Sequence, residues 1–126
     1  YNIPEWKIQE RQRQAADKAK YQNLVDAKNA GVQIAFGTDA GSPCVQHNMI
    51  VPEMEFMVNL GVVDGNYGAL RSATSVSAKI NKLDSKLGTL EVGKLADIIV
   101  MEGNPLIDLS ALTKICYTFK EGCSML

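Results

Sequence analysis

The chain has 126 residues, 46% hydrophobic and 21% charged, which is enough for one globular domain with a real core and names no activity by itself. Its formal net charge of -1 is spread without basic blocks, and no apolar run nears the ~20 residues that cross a bilayer, so nucleic acid and membrane are excluded as expected partners. The three cysteines, Cys44, Cys116 and Cys123, lack the paired spacings of a disulfide framework or a zinc knuckle, so reduced thiols in a soluble, cytoplasmic protein are expected.

From Pro4 to Ala30 the residues are mostly Gln, Lys, Arg, Glu and Ala, with apolar side chains at Trp6, Ile8, Ala16, Ala19, Leu24 and Ala27. That pattern predicts one long helix with a modest buried stripe, begun near Pro4 and ended by Gly31. Val32-Gln33-Ile34-Ala35-Phe36 then has the β-branched and aromatic content of a strand covered on both faces, as in a parallel sheet. It delivers Gly37-Thr38-Asp39-Ala40-Gly41, a carboxylate at a strand tip flanked by small residues that let the chain turn and a ligand approach.

Pro52 opens a second helical pattern with Val51, Met54 and Val58 on one side, Met57 and Leu60 beside them, and Gly61 at its close. Asp64 is placed to cap a third helix, carrying Ala69, Leu70, Ala73, Val76 and Ile80 at helical spacing. From Leu87 the period changes. Turns run through Gly88 to Lys94, Ala96 to Met101 and Ile115 to Phe119 read as strands, Asn104-Pro105 breaks the chain between them, and Lys120-Glu121-Gly122 turns into a short last segment, Cys123 to Leu126. A strand built for parallel neighbours needs crossover units for which this chain has little room. Together with a first residue, Tyr1, that is not methionine, this leads us to expect a piece of a longer polypeptide.

Four stretches, in order, carry a family likeness. Ala30 to Gly41 resembles the last barrel strand and its Asp in the imidazolonepropionase-like and dipeptidase-like branch of the amidohydrolase superfamily, and His47 to Val58, with Glu53 and Glu55, is similar to the element that follows there. Ala69 to Ala78 resembles the last helix. Leu87-Gly88-Thr89-Leu90-Glu91-Val92-Gly93-Lys94-Leu95-Ala96-Asp97, running into Ile98-Ile99-Val100, resembles the entry to the flanking β-sandwich and is the most specific of the four.

The resemblance implies an α/β fold: residues 1-82 as the last strand and helices of a (β/α)8 TIM-type barrel, residues 83-126 as part of a small β-sandwich, incomplete as a stand-alone fold. It implies a metal-dependent hydrolase acting on an amide, peptide or cyclic amide C-N bond of a small molecule. The divalent metal, taken as zinc, activates water, and Asp39 both touches the metal and shuttles the proton. The family's His-x-His and later His ligands are missing, for the chain has one His. The isolated chain is therefore expected to be inactive, to retain no metal, and to associate with itself or with the rest of its parent. A noncatalytic oligomerisation module, or a remnant of such an enzyme, is the alternative.

Each candidate also has a plainer use. Asp39 could simply turn the chain. His47 could contact substrate over the site or be a surface loop histidine. Glu53 and Glu55, two positions apart, cannot share a helix face, and the macrodipole accounts for both near a helix start. Thr38 is expected to brace the strand end. Cys44 has no basic partner in sequence that would make it a nucleophile, and the methionines at 49, 54 and 57 read as core filler.

Overall fold

The computed structural model describes residues 4–41 and 46–125; Cys44 and Leu126, and the side chain of Ala16, lie outside what is described. Among the described residues five α-helices and three strands follow one another as α1 (Glu5–Ala16), α2 (Gln22–Asn29), α3 (Ile50–Asn59), α4 (Gly65–Arg71), α5 (Ser77–Ile80), β1 (Ile98–Met101), β2 (Ile115–Lys120) and β3 (Cys123–Ser124). The class is α/β, with a small antiparallel sheet in the order β1-β2-β3. No described helix is long and apolar enough to cross a membrane.

The single helix expected from Pro4 to Ala30 is in fact two. Asp17 leaves the helical region and its carboxylate accepts the Ala19 N–H at 3.1 Å, which starts a 3₁₀ turn (Lys18–Tyr21) instead of continuing α1. The break shifts the helical phase, so Val25 packs on the core while Leu24, expected inside, is exposed. Trp6 stays 67% exposed, so the stripe forecast for α1 is not buried there. Tyr21 does reach inward, edge-on to Phe56 at 5.2 Å.

Helix ends follow local chemistry closely. Gly31 and Gly61 both adopt positive φ, and behind each the next residue bonds back five positions: Val32 N–H to the Ala27 carbonyl, Val62 N–H to that of Met57. These are Schellman closures, which a left-handed residue makes possible. Lys82 closes α5 in the same way at φ 58, with Leu83 N–H on the Ala78 carbonyl. Asp64 precedes α4, yet its carboxylate makes no capping bond. It pairs instead with Lys28 of α2 at 2.6 Å.

The core gathers Met54, Met57, Val62, Val63, Ala69 and Leu109, with Ile34, Phe36 and Leu70 packed against it. Leu109 comes from a 3₁₀ turn (Leu109–Thr113) that sequence periodicity does not reveal; Asp108 caps it by accepting the Ser110 N–H at 2.9 Å. Both strands expected beyond Ala96 form. They pair from Ile98 opposite Phe119 to Val100 opposite Tyr117, and a bulge shifts Met101 onto Ile115. Glu121 and Gly122, both at positive φ, make the two-residue turn between β2 and β3.

The sandwich-entry motif is fastened by its own polar residues. Lys94 Nζ donates to Thr89 Oγ1 and lies 3.5 Å from Glu91, while Asp97 takes the Lys120 ammonium on one oxygen and the Glu121 N–H on the other. Asp97 thus holds the β2-β3 turn against the start of β1.

Candidate active site

Residues 32–39 are extended but belong to no strand, because no parallel partner lies beside them among the described residues. The buried strand expected at Val32 to Phe36 is therefore corrected to a single extended run. Ile34 and Phe36 turn to the core, and Phe36 N–H donates to the Ser72 carbonyl at 3.1 Å. Val32 and the polar edge of the run face outward.

Three residues past that bond stands Asp39, at φ 51. Left-handed backbone is uncommon for a side chain with a Cβ, and Asp is among the residues that tolerate it. Thr38 does brace the turn, since its hydroxyl oxygen accepts the Ala40 N–H at 3.2 Å. The Asp39 carboxylate is exposed, and among the described residues it makes no hydrogen bond or ion pair. Among the described residues it accepts no backbone N–H, the bond by which an Asp commonly turns a chain.

His47, after the undescribed residues 42–45, is exposed, and its Nε2 lies 4.0 Å from where a Cβ on Gly41 would stand. The imidazole therefore reaches the loop that carries Asp39. Glu53, in the first turn of α3, is half-buried, whereas Glu55 is exposed. Burial, and then the negative charge of Asp39, raise the Glu53 carboxyl above its ordinary range. The two glutamates part as their spacing requires. The signal that singles out Glu53 was present in the sequence: Glu53, Met57 and Leu60 fall on one helix face, and that face is the one turned to the core.

Asp39, His47 and Glu53 therefore gather at one end of the extended run. They do not amount to a metal centre. Among the described residues no three His, Cys, Asp or Glu side chains converge to hold an ion, and a divalent cation requires four or more donors. Asp39 could serve as one ligand of a cation whose other ligands come from elsewhere.

Comparison with known proteins is consistent with this incompleteness. No curated protein matches the chain. Among solved structures it is similar to a Xaa-Pro dipeptidase with methionine bound in the active site, at 40% identity and a TM-score of 0.72 over 83% of this chain. A Bifidobacterium longum structure assigned as a prolidase aligns at 36% identity and a TM-score of 0.76 over 81% of this chain. A prolidase complexed with N-methylphosphonate-L-proline aligns at 28% identity and a TM-score of 0.68 over 84%. The chain spans only 25% of each of the first two and 26% of the third, about a quarter of their length. The amidohydrolase family profile matches residues 15–123, nearly the whole sequence, and with these likenesses it shows that the chain belongs to the amidohydrolase family.

Proposed function

We propose that this chain supplies the carboxyl-terminal quarter of a metal-dependent hydrolase that cleaves a C-N bond in a short peptide or related amide. In this reading residues 1-82 are the last strand and helices of a TIM-type barrel, and residues 83-126 are part of the flanking β-sandwich. The observation that carries it is Asp39: a carboxylate with no hydrogen bond or ion pair among the described residues, at the end of an extended run that joins no strand among them. Barrel enzymes place reactive groups at that end of a strand.

Asp39 is the catalytic residue of this quarter. Its free oxygens can accept a proton from an attacking water and return it to the departing nitrogen, so one group serves as base and then acid. Asp39 would be one ligand of the divalent metal implied by the family, taken as zinc, which would supply Lewis-acid activation of water. His47, lying against the Asp39 loop, is the substrate-contacting side chain. All three similar structures carry dipeptidase or prolidase names, which supports a dipeptide as the first substrate to try.

The test is hydrolysis of an Xaa-Pro dipeptide by the longer polypeptide that carries this segment. Asp39→Asn keeps the shape and removes the proton acceptor, and we expect kcat to fall by about 10²- to 10⁴-fold. Hydrolysis at the original rate would end the reading. The noncatalytic alternative predicts either that outcome, if the segment only assembles the enzyme, or no hydrolysis by the unsubstituted polypeptide, if it is a remnant.

A further inference from the structure

The residues between Arg71 and Ser77 do not continue α4 as an α-helix. They form a π turn (Ser72–Val76), a form that is rare and occurs mostly as single insertions, frequently near functional sites. Widening the turn shifts the hydrogen-bond ladder, and the Ser72 carbonyl at its start accepts two bonds from outside that ladder. One comes from Ser77 Oγ at 2.7 Å; the other is the Phe36 N–H at 3.1 Å, from the run that carries Asp39. Ser72 itself is 1% exposed, with its hydroxyl donating to the Ala69 carbonyl at 2.7 Å. Among the described residues, Phe36 to Ser72 is the one backbone hydrogen bond between the segment 33–41 and another element.

The other side of the π turn is braced by Gly88. At φ 93, its backbone comes so close that a Cβ there would lie 2.6 Å from Ala78 Cβ, 3.0 Å from Ser75 Cα and 3.1 Å from the Thr74 carbonyl oxygen. A methyl group and backbone atoms cannot swing aside as the tip of a long side chain can. Gly93, in the same motif and at nearly the same φ of 94, has nothing within 4 Å.

From this juxtaposition we infer that Gly88, seated against the π turn, keeps the Ser72 carbonyl where it accepts the Phe36 N–H and thereby sets the position of Asp39. Gly88 is a positioning residue, and the glycine of the Leu87-Gly88-Thr89 motif is there for close approach as well as for its turn. The inference rests on the catalytic reading of Asp39. Its physical part, the clamp on Phe36, stands separately.

Gly88→Ala and Gly93→Ala carry the same backbone cost and differ in what the new methyl meets, so they form a matched pair in the longer polypeptide. Gly88→Ala is expected to lower kcat about tenfold or more, because a small displacement of a catalytic group is costly, and to speed hydrogen exchange at the Phe36 amide. KM should stay within about twofold, and Gly93→Ala should leave both kcat and Phe36 exchange within about twofold. Equal effects from the two variants, or unchanged Phe36 exchange in Gly88→Ala, would overturn the inference.

Should Gly88→Ala fail to fold, Ser77→Ala removes only the hydroxyl bond to the Ser72 carbonyl. Faster exchange at Phe36, restored by Ser77→Thr, supports the clamp, and unchanged exchange in Ser77→Ala overturns it. Full activity in Asp39→Asn would remove the reading of Asp39 instead, whereas an inactive Asp39→Asn alongside an unaffected Gly88→Ala removes only the positioning role.

Discussion

Asp39 and Asp97 show how differently one residue type is used along this chain. Among the described residues Asp39 holds no hydrogen bond or ion pair, while Asp97 is committed to Lys120 and to the Glu121 N–H. The hydrogen bond from Lys120, then the one from the Glu121 backbone, lower the Asp97 carboxyl below its ordinary value of 3.8. A lowered folded-state value means that the unfolded chain takes up the proton first. Asp97 therefore contributes stability above pH 3.8, and the contribution disappears as pH falls through the lower folded value. Asp97→Asn should reduce the urea midpoint at pH 7, and the gap from the unsubstituted chain should narrow as pH drops below 3.8. A gap that stays constant with pH would show that the carboxylate's charge has no part in it. The importance of Asp97 was visible in sequence as the end of an ordered motif, but its partner Lys120, 23 positions away, was not.

At the scale of elements, what was legible depended on how far the deciding interaction reached. Gly31 and Gly61 mark helix ends because a Schellman closure is made within six residues. The π turn carries no comparable local signal and the 3₁₀ turn at Leu109 only its Asp108 cap; the first lies against Phe36 and Gly88, the second against α3. Leu109 and Leu106 read alike in sequence, yet Leu109 is 3% exposed in the core and Leu106 is 54% exposed. Leu109→Ala should therefore cost about 2–5 kcal/mol in chemical denaturation. Leu106→Ala should stay within about 0.5 kcal/mol. Similar costs at the two positions would mean that the 3₁₀ turn does not dock as described.

For the molecule as a whole, the dominant feature is apolar surface left without cover. Leu90 is 81% exposed, and Val32, Ile99, Val100 and Tyr117 also face outward, beside a run and a sheet edge that offer unpaired backbone groups. Such surfaces recruit partners. The isolated chain is expected to self-associate, with light scattering giving a mass above 13.7 kDa, and to show no hydrolysis; a monodisperse monomer would count against this. What the sequence by itself determined was the family likeness, the helix ends at Gly31 and Gly61, the two strands beyond Ala96 and the place of Asp39 at the end of an apolar run, because each is written in residues close together along the chain. The tertiary structure alone decided that α1 and α2 are separate and out of phase, that Val32 to Phe36 joins no strand among the described residues, and that Gly88 lies against the π turn whose Ser72 carbonyl accepts the Phe36 N–H. Those outcomes depend on which distant backbone and side-chain groups meet, and no local pattern records such meetings.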